Sequence, residues 1–340
     1  MNGFDNPDVL VVGSGPAGSA FARRVHDRDP SATVLMVDAG PVLTDPPGTN
    51  TINLRGNAHA EALALCRDDT ADDDPLAPYL QPGTALLRRS SDNMDPQVDM
   101  PAASMSTNVG GMGAHWSCSC PRPFGSEVMP AVPRDEFDAA FEVAEDLLSI
   151  TTDGFTRTST QHDIEALVGK MVDTERQVQP MPLACTPTGT VPTWSGTSAI
   201  LGDLLDESTR FTLRADTRCR RLLHENGRVR AAELEHVPTG RRSVVSPGAV
   251  VVACDVLRTP QLLWASGIRP TALGRYLNDQ PLLVATVPIA AELVGEDFWD
   301  LRTGTTEPRD HLRGVSWVPF DDESHPYHGQ IHYFDPRFTV

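Results

Sequence analysis

The sequence predicts an α/β protein in which a parallel sheet with helices is interleaved with an α+β part that contains a mixed or antiparallel sheet. Asp8–Val12 and Val34–Asp38 are short apolar runs of the kind that form buried parallel strands. Between them, Gly15–Asp27 carries apolar residues at helical spacing, which completes a βαβ unit. Val250–Ala253 is a further fully apolar run, so the sheet continues in the second half of the chain.

The length of 340 residues suits two domains, and the pattern predicts that each is built from two separate stretches. A helix is predicted over Arg134–Ile150, and strands separated by turns follow from Phe211 onward. Proline-rich and acidic residues between 40 and 100 indicate an elaborated loop region. The first domain is expected to comprise residues 1–133 and 206–280, and the second domain residues 134–205 and 281–340, with the latter incomplete at its C-terminus.

Composition limits the partners of this chain. A net charge of −18 repels nucleic acid and anionic membrane surfaces, so neither is expected as a partner. The first strand begins within ten residues of Met1 and no apolar run approaches the roughly 20 residues that span a bilayer, which favours a cytoplasmic protein. The six cysteines are interpreted as reduced thiols, and no metal site is predicted.

A glycine motif follows the first strand and opens the first helix. In Gly13-Ser-Gly15-Pro-Ala-Gly18, the glycines let backbone approach a pyrophosphate at the helix N-terminus, where N–H groups and the helix dipole favour anions. Asp38 ends the next strand, where a carboxylate can accept hydrogen bonds from a ribose. The motif predicts a Rossmann-like dinucleotide site, whose candidate residues are Gly13, Gly15, Pro16, Ala17, Gly18, Asp38, Ala39 and Gly40.

The segment Ser106–Arg122 is rich in glycine, and Met112-Gly-Ala-His-Trp-Ser lies at its centre. This run resembles the flavin-contacting segment of the glucose-methanol-choline (GMC) oxidoreductases, in the form found in the pyranose-oxidase branch. The resemblance implies an FAD cofactor, with or without covalent attachment through His115, and places the hydroxyl of Ser117 near flavin N5. The cofactor-binding residues that it implies in this segment are Thr107, Asn108, Gly110, Gly111, Met112, His115, Trp116, Ser117 and Cys118.

Further segments extend the resemblance to most of the chain. Thr217–Leu222 is similar to the strand that contacts adenine, which places Cys219 there. Gly248–Ile268 is similar to the second GMC signature, which places Ala253 and Cys254 at the cofactor. Arg258–Ser266 is predicted to form a helix that is closed by Gly267, and Leu273–Pro281 resembles the conserved turn that follows this helix, although Gln280 stands where many members carry histidine. His325–His332 resembles the start of the substrate-loop region.

The resemblance implies FAD-dependent oxidation of a pyranose or glycoside ring hydroxyl, at C2 or C3, to the keto sugar. Hydride would pass to flavin N5, a base would take the hydroxyl proton, and oxygen or a quinone would be the electron acceptor. The catalytic His–His or His–Asn pair of the family is expected beyond Val340, so no base is assigned in this chain. A second chain that completes the active site, a catalytically incomplete FAD-binding subunit and an NAD-dependent dehydrogenase remain as alternatives.

Overall fold

The computed structural model describes residues 6–58, 61–62, 106–172, 176–188, 191–206, 210–278, 283–300, 312–322 and 324–334. Its strands are β1 (Val9–Val12), β2 (Val34–Val37), β3 (Ile150–Thr151), β4 (Gln179–Pro180), β5 (Leu183–Thr186), β6 (Thr193–Trp194), β7 (Phe211–Arg214), β8 (Thr217–Glu225), β9 (Arg228–His236), β10 (Arg241–Val245), β11 (Ala249–Val252), β12 (Leu312–Val318) and β13 (Gly329–Phe334). Its α-helices are α1 (Pro16–Arg28), α2 (Arg134–Leu148), α3 (Ser159–Met171), α4 (Thr197–Leu201), α5 (Asp255–Ala265) and α6 (Glu296–Asp300). The chain divides into two compact units: unit 1 comprises Met1–Trp116 and Gly196–Gln280, and unit 2 comprises Ser117–Ser195 and Pro281–Val340.

Unit 1 is built on a parallel sheet with the strand order β11-β1-β2-β7. Val11 of the central strand β1 pairs with Val251 on one side and with Met36 on the other. The strands are apolar at consecutive positions because both faces of the sheet are covered. The βαβ unit predicted from the sequence is therefore confirmed, with α1 as its helix.

The two faces of this sheet pack against different layers. On one face, Leu10 and Leu35 pack with Leu222 and Leu234 of the antiparallel sheet β10-β9-β8 and with Leu262 of α5. The other face packs against α1 and against the segment that begins with α4, through a cluster that contains Val11, Met36, Ala22, Leu201 and Leu204. Unit 1 consequently has three layers, and the carboxyl ends of β1 and β2 remain at the edge of the sheet.

Unit 2 contains two antiparallel sheets, with strand orders β3-β5-β6 and β13-β12-β4. Helix α2 packs against β5, and helix α3 packs against β12 and α6. This arrangement agrees with the α+β part expected from the sequence. Pro133 precedes α2. The carboxylates of Asp135 and Glu136 in the first turn stabilise this helix because they interact favourably with the positive end of its dipole.

The boundaries between the units differ from the predicted ones at two places. They lie at Trp116/Ser117 and at Ser195/Gly196, instead of after residues 133 and 205. Gly196–Leu205 belongs to unit 1 because Leu201 and Leu204 are buried against α1 and the parallel sheet. Ser119 belongs to unit 2 because it pairs with Leu183 of β5. The remaining boundary given by the contact pattern follows Gln280.

Helix ends differ from the prediction for local reasons. Helix α5 begins at Asp255 and not at Arg258, because the Asp255 carboxylate accepts hydrogen bonds from the N–H groups of Leu257 and Arg258 at 2.7 and 2.9 Å. Helix α2 ends at Leu148, since Ser149 adopts a φ of 56° and Ile150 enters β3. Most of the predicted loop region 40–100 lies outside the described residues. None of the described helices is long and apolar enough to cross a membrane.

Candidate cofactor site

A groove with a volume of about 630 Å³ lies at the carboxyl ends of β1 and β2 in unit 1. Ligands of open α/β sheets bind at this edge, and the volume lies within the roughly 300–1,000 Å³ that is usual for ligand sites. The unit 1 groove, as it is called below, is lined by Val12, Gly13, Gly15, Pro16, Ala17, Val37, Asp38, Ala39, Ser106, Thr107, Gly111, Met112, Thr217, Arg218, Cys219, Arg220, Ala253, Cys254, Asp255, Val256, Leu257, Arg258, Gln261, Leu262, Ala265, Leu277 and Asn278.

The three glycines of the motif serve different purposes. Gly13 has a φ of +101°, and a Cβ atom there would lie 2.1 Å from the carbonyl oxygen of Ala253. A Cβ atom on Gly18 would lie 2.0 Å from the carbonyl oxygen of Gly13. Both therefore allow close backbone packing. A Cβ atom on Gly15 would meet nothing within 4 Å, so this glycine leaves open space in the groove immediately before the first turn of α1.

Asp38 is held at the end of β2 by three hydrogen bonds from the protein. One carboxylate oxygen accepts from the backbone N–H and the hydroxyl of Ser14, at 3.0 and 2.5 Å, and the other accepts from the N–H of Gly40 at 3.0 Å. Burial raises the pKa of Asp38 above its ordinary value, against the effect of these bonds and of the Arg258 charge. Ser14, which the sequence analysis did not select, also accepts the N–H of Gly110 at 2.8 Å and so links the motif to the second glycine segment.

Arg258 is a second groove residue that sequence reasoning missed. It lies in the first part of α5, is partly buried and donates from Nη2 to the hydroxyl of Thr107 at 2.7 Å. The only sequence signal for it is an arginine four residues after Cys254, in a helix whose neighbours are mostly apolar.

His115 is buried, with 5% of its surface exposed, and lies between two polar side chains. Its Nε2 lies 2.8 Å from Oδ1 of Asn108, and its Nδ1 lies 3.2 Å from the hydroxyl of Thr51. The Asn108 amide is oriented by its own hydrogen bond to the carbonyl of Val109. Burial lowers the pKa of His115 from 6.5 to about 4, so the imidazole is neutral near pH 7. Because an amide oxygen only accepts, the tautomer that fits carries its proton on Nε2.

The structure brings together most of the cofactor-binding residues proposed from the sequence. Those that line the unit 1 groove are Gly13, Gly15, Pro16, Ala17, Asp38, Ala39, Thr107, Gly111, Met112, Cys219, Ala253 and Cys254. Those outside its lining are Gly18, Gly40, Asn108, Gly110, His115, Trp116, Ser117 and Cys118. The backbone of Gly40 lies against that of Thr107, so closely that a Cβ atom on Gly40 would be 2.1 Å from the Thr107 carbonyl oxygen.

Ser117 and Cys118 belong to unit 2 in this structure. Ser117 is exposed, whereas Cys118 is fully buried and its thiol lies 3.5 Å from the carbonyl oxygen of Ser195. In the groove, burial raises the pKa of the Cys219 and Cys254 thiols to about 12. Both thiols therefore remain protonated and pack as small apolar groups.

Unit 2 carries a separate group of polar side chains, here called the β13 polar cluster: Ser119, His328, Gln330 and His332. Oε1 of Gln330 lies 3.1 Å from the Ser119 hydroxyl and 3.1 Å from Nε2 of His332. Nε2 of Gln330 lies 3.4 Å from Nε2 of His328. Burial lowers the pKa of both histidines. Across the described part of the chain, no group of three or more His, Cys, Asp or Glu side chains could hold a metal ion.

Unit 1 has the features of a dinucleotide-binding fold. A glycine loop lies between a buried parallel strand and a helix, and an acidic side chain follows the next strand. The family model described as GMC oxidoreductase matches residues 173–282. The chain belongs to the GMC oxidoreductase family, whose members are FAD flavoproteins.

The chain is similar to two curated sugar oxidases in sequence and to one solved oxidase in fold. The chain is 39% identical over 347 residues to C-glycoside 3-oxidase of Microbacterium trichothecenolyticum, covering 96% of this chain and 66% of the relative. It is 28% identical over 380 residues to pyranose 2-oxidase of Tricholoma matsutake, covering 98% and 67%. Pyridoxine 4-oxidase from Mesorbium loti shares the fold, with a TM-score of 0.51 and 19% identity over 95% of this chain and 65% of that structure. This chain spans about two thirds of the length of the relatives that it matches.

Proposed function

We propose that unit 1 binds one FAD in its groove, and that the protein oxidises a ring hydroxyl of a sugar or glycoside to the keto sugar. The observation that carries this proposal is the groove itself, with Gly15 and Asp38 at the carboxyl ends of two parallel strands. The 39% identity to a C-glycoside 3-oxidase supports the substrate class and favours C3 over C2 as the oxidised position. The names of the relatives favour oxygen over a quinone as electron acceptor.

The groove residues suit the parts of FAD in a definite order. The open space at Gly15, before the first turn of α1, suits the pyrophosphate, because helix N-termini bind anions through backbone N–H groups. Asp38 would accept hydrogen bonds from the adenosine ribose. Strand β8 at Cys219 would lie against adenine, and the segment from Ser106 to Met112 would hold the flavin side. Bound FAD would supply the acceptor for the hydride of the substrate C–H bond, and the electron acceptor would return the cofactor to its oxidised form.

We further propose that FAD is held without a covalent bond to His115. Attachment would require one imidazole nitrogen to give up its present partner, either Asn108 at Nε2 or Thr51 at Nδ1. The ring is also buried outside the groove lining. In this proposal, the neutral imidazole donates a hydrogen bond to Asn108 and so helps to fix the position of the glycine segment that follows Asn108.

The β13 polar cluster suits a neutral substrate rich in hydroxyl groups. Its amide and imidazole groups both donate and accept, so each can exchange its present partner for a sugar hydroxyl without leaving a charge uncompensated. We assign the base that takes the hydroxyl proton to none of the described histidines. His115 is enclosed and its pKa of about 4 makes it a weak base near neutral pH.

A second candidate function is an FAD-binding subunit that needs another polypeptide to complete its active site. It is favoured by the exposed apolar side chains of residues 283–293, which include Leu283 at 95% and Val287 at 76% exposure. Exposed apolar surface of this extent marks contact sites for other polypeptide segments. The two functions share FAD binding and differ in whether the chain alone turns over a sugar.

The test is a spectrum followed by an anaerobic titration with substrate. The purified full chain, loaded with FAD and freed of small molecules, should show flavin absorption that bleaches on addition of a C-glycoside. A 2-deoxy glycoside should still bleach the flavin, whereas a 3-deoxy glycoside should not. Flavin that is bound but never bleached supports the incomplete-subunit function, and failure to retain any flavin refutes both.

A further inference from the structure

We propose that the outer edge of strand β10 binds an extended, acidic segment of a partner polypeptide, which pairs with β10 as a fourth strand of the antiparallel sheet β10-β9-β8. Strand β10 does not line the unit 1 groove, so this contact does not depend on FAD binding. Three features of the sheet point to it: an unpaired strand edge, a concentration of arginine side chains and an exposed valine beside them.

Strand β10 has a strand neighbour on one side only. In the described part of the chain it pairs with β9 along its whole length, and no strand pairs with its other side. Alternate backbone N–H and C=O groups of an antiparallel edge strand point away from the sheet and can bond to a further strand. Residues 241–244 of β10 are all exposed, so a further strand can reach this edge.

The sheet carries concentrated positive charge in an otherwise acidic chain. Residues 217–245 contain seven arginines, three glutamates and no lysine, whereas the whole chain has a net charge of −18. All seven arginines are exposed, and three of them, Arg220, Arg221 and Arg242, pair with Glu233 or Glu235. The arginines that make no ion pair with any described residue are Arg218, Arg228, Arg230 and Arg241. The sheet therefore presents positive charge that the acidic remainder of the chain does not neutralise.

Two arginines at the edge itself can receive carboxylates from a partner. The side chain of Arg241 has no ion-pair partner among the described residues. Arg242 lies opposite Glu235 in the strand register, but this carboxylate is held by Arg220 at 3.0 Å and lies 3.6 Å from Arg242. The Arg242 side chain is 69% exposed. A carboxylate on a further strand can therefore pair with Arg242 through two parallel N–H bonds without breaking a short ion pair.

The edge also restricts the kind of partner that fits. Only a polypeptide has the repeating N–H and C=O groups that extend a sheet, which favours a protein segment over a nucleic acid. Val244 lies two positions after Arg242 on the same face and is 56% exposed, so it offers an apolar contact beside the charge. A second copy of β10 would bring four arginines into one short ladder, and like charges on neighbouring strands are destabilising. An acidic strand from a different polypeptide gains both the backbone bonds and the ion pairs.

The experiment measures the binding of fluorescein-labelled probes to the purified full chain by fluorescence anisotropy at low ionic strength. The main probe is a peptide of about eight residues in which glutamate and threonine alternate. A second peptide has the same sequence with every backbone amide N-methylated, and a third has lysine in place of glutamate. The acidic peptide should bind at least about 10-fold more tightly than either, because the second lacks backbone donors and the third is repelled. Added salt should weaken its binding.

Two double variants test the location of the contact. Arg241→Ala with Arg242→Ala should lower the affinity for the acidic peptide roughly 3- to 30-fold, because two exposed ion pairs are lost. The matched control is Arg228→Ala with Arg230→Ala, which removes two exposed arginines from the same sheet. These two residues precede the part of β9 that pairs with β10, so this variant should bind the peptide as the unsubstituted chain does.

Several results would overturn the proposal, and none of them depends on whether the chain retains FAD. Absence of binding, or equal binding of the acidic and N-methylated peptides, rules out strand addition. A thymidine oligonucleotide that binds as tightly as the peptide would show that the sheet attracts polyanions in general. Self-association in sedimentation velocity that is lost in the Arg241 and Arg242 variant would identify the occupant as a second copy. If this variant fails to fold by circular dichroism, the comparison of the acidic and N-methylated peptides on the unsubstituted chain decides.

Discussion

Replacing Gly15 by alanine should separate cofactor binding from folding. The added methyl group would meet no protein atom within 4 Å, and the φ of −62° and ψ of 178° at this position are accessible to alanine. We therefore expect Gly15→Ala to fold normally and to lose affinity for FAD. Gly13→Ala should instead destabilise the fold itself, because its methyl group would lie 2.1 Å from the backbone oxygen of Ala253.

The expected magnitudes follow from these contacts. In Gly15→Ala, the lower entropy of the unfolded chain stabilises the fold, while alanine is a poorer N-cap than glycine, so the free energy of unfolding should change by less than about 1 kcal/mol. The loss of one hydrogen bond to a charged phosphate, worth roughly 1.5–3 kcal/mol, should weaken FAD binding about 10- to 100-fold. In Gly13→Ala, the φ of +101° and the overlap with Ala253 should cost more than about 4 kcal/mol of stability.

Urea denaturation of the apo chain and fluorescence titration with FAD measure the two quantities separately. Gly169→Ala is the matched control, since its Cβ atom would be 3.8 Å from its nearest neighbour and it lies in α3 of unit 2. This control should bind FAD normally. Unchanged FAD affinity in Gly15→Ala would refute the placement of the phosphates at the first turn of α1.

Three further predictions concern the histidine and the apolar segment. Because the folded-state pKa of His115 is about 4 and its ordinary value is 6.5, the unfolded chain binds the extra proton first as the pH falls, and stability is lost between these values. Urea denaturation should show that His115 contributes a loss of about 2 kcal/mol between about pH 7.5 and about pH 5, and this loss should disappear in His115→Gln. Acid denaturation should release FAD from the polypeptide, and flavin absorption that stays with the peptide containing His115 would contradict the proposed non-covalent binding. The double substitution Val284→Ser and Val287→Ser should leave FAD affinity unchanged and reduce self-association in sedimentation velocity; equal self-association would show that these exposed side chains are not the contact surface.

The parallel sheet could be predicted from the sequence because strands buried on both faces leave uninterrupted apolar runs. Leu10, Val11 and Val12 are all buried, and the glycine that follows them is required by backbone overlap with Ala253. The glycine that begins the motif is also the residue that allows β1 to pack closely beside β11, so the same sequence pattern predicts both the cofactor motif and the parallel sheet. The same holds for Asp38, which directly follows the last residue of β2.

Other parts of the site could not be predicted, because they depend on contacts between residues far apart in sequence. The Arg258–Thr107 bond joins residues 151 positions apart, and nothing in the local pattern of α5 indicates it. The enclosure of His115 depends on Thr51, which is 64 positions away. Trp116 and Ser117 are adjacent in the glycine-rich segment, so the sequence predicts that both belong to one cofactor-binding segment. The structure divides the units between them, because Ser119 joins the β5 sheet.

The most direct test of the account is the stoichiometry of FAD on the purified full chain, measured by absorbance for the unsubstituted protein and for Gly15→Ala in parallel. The account predicts about one FAD per unsubstituted chain and a much lower occupancy in the variant, at equal stability of the two apo proteins. Failure of the unsubstituted, folded chain to retain FAD, or equal occupancy of the two proteins, would contradict the assignment of the unit 1 groove as the cofactor site.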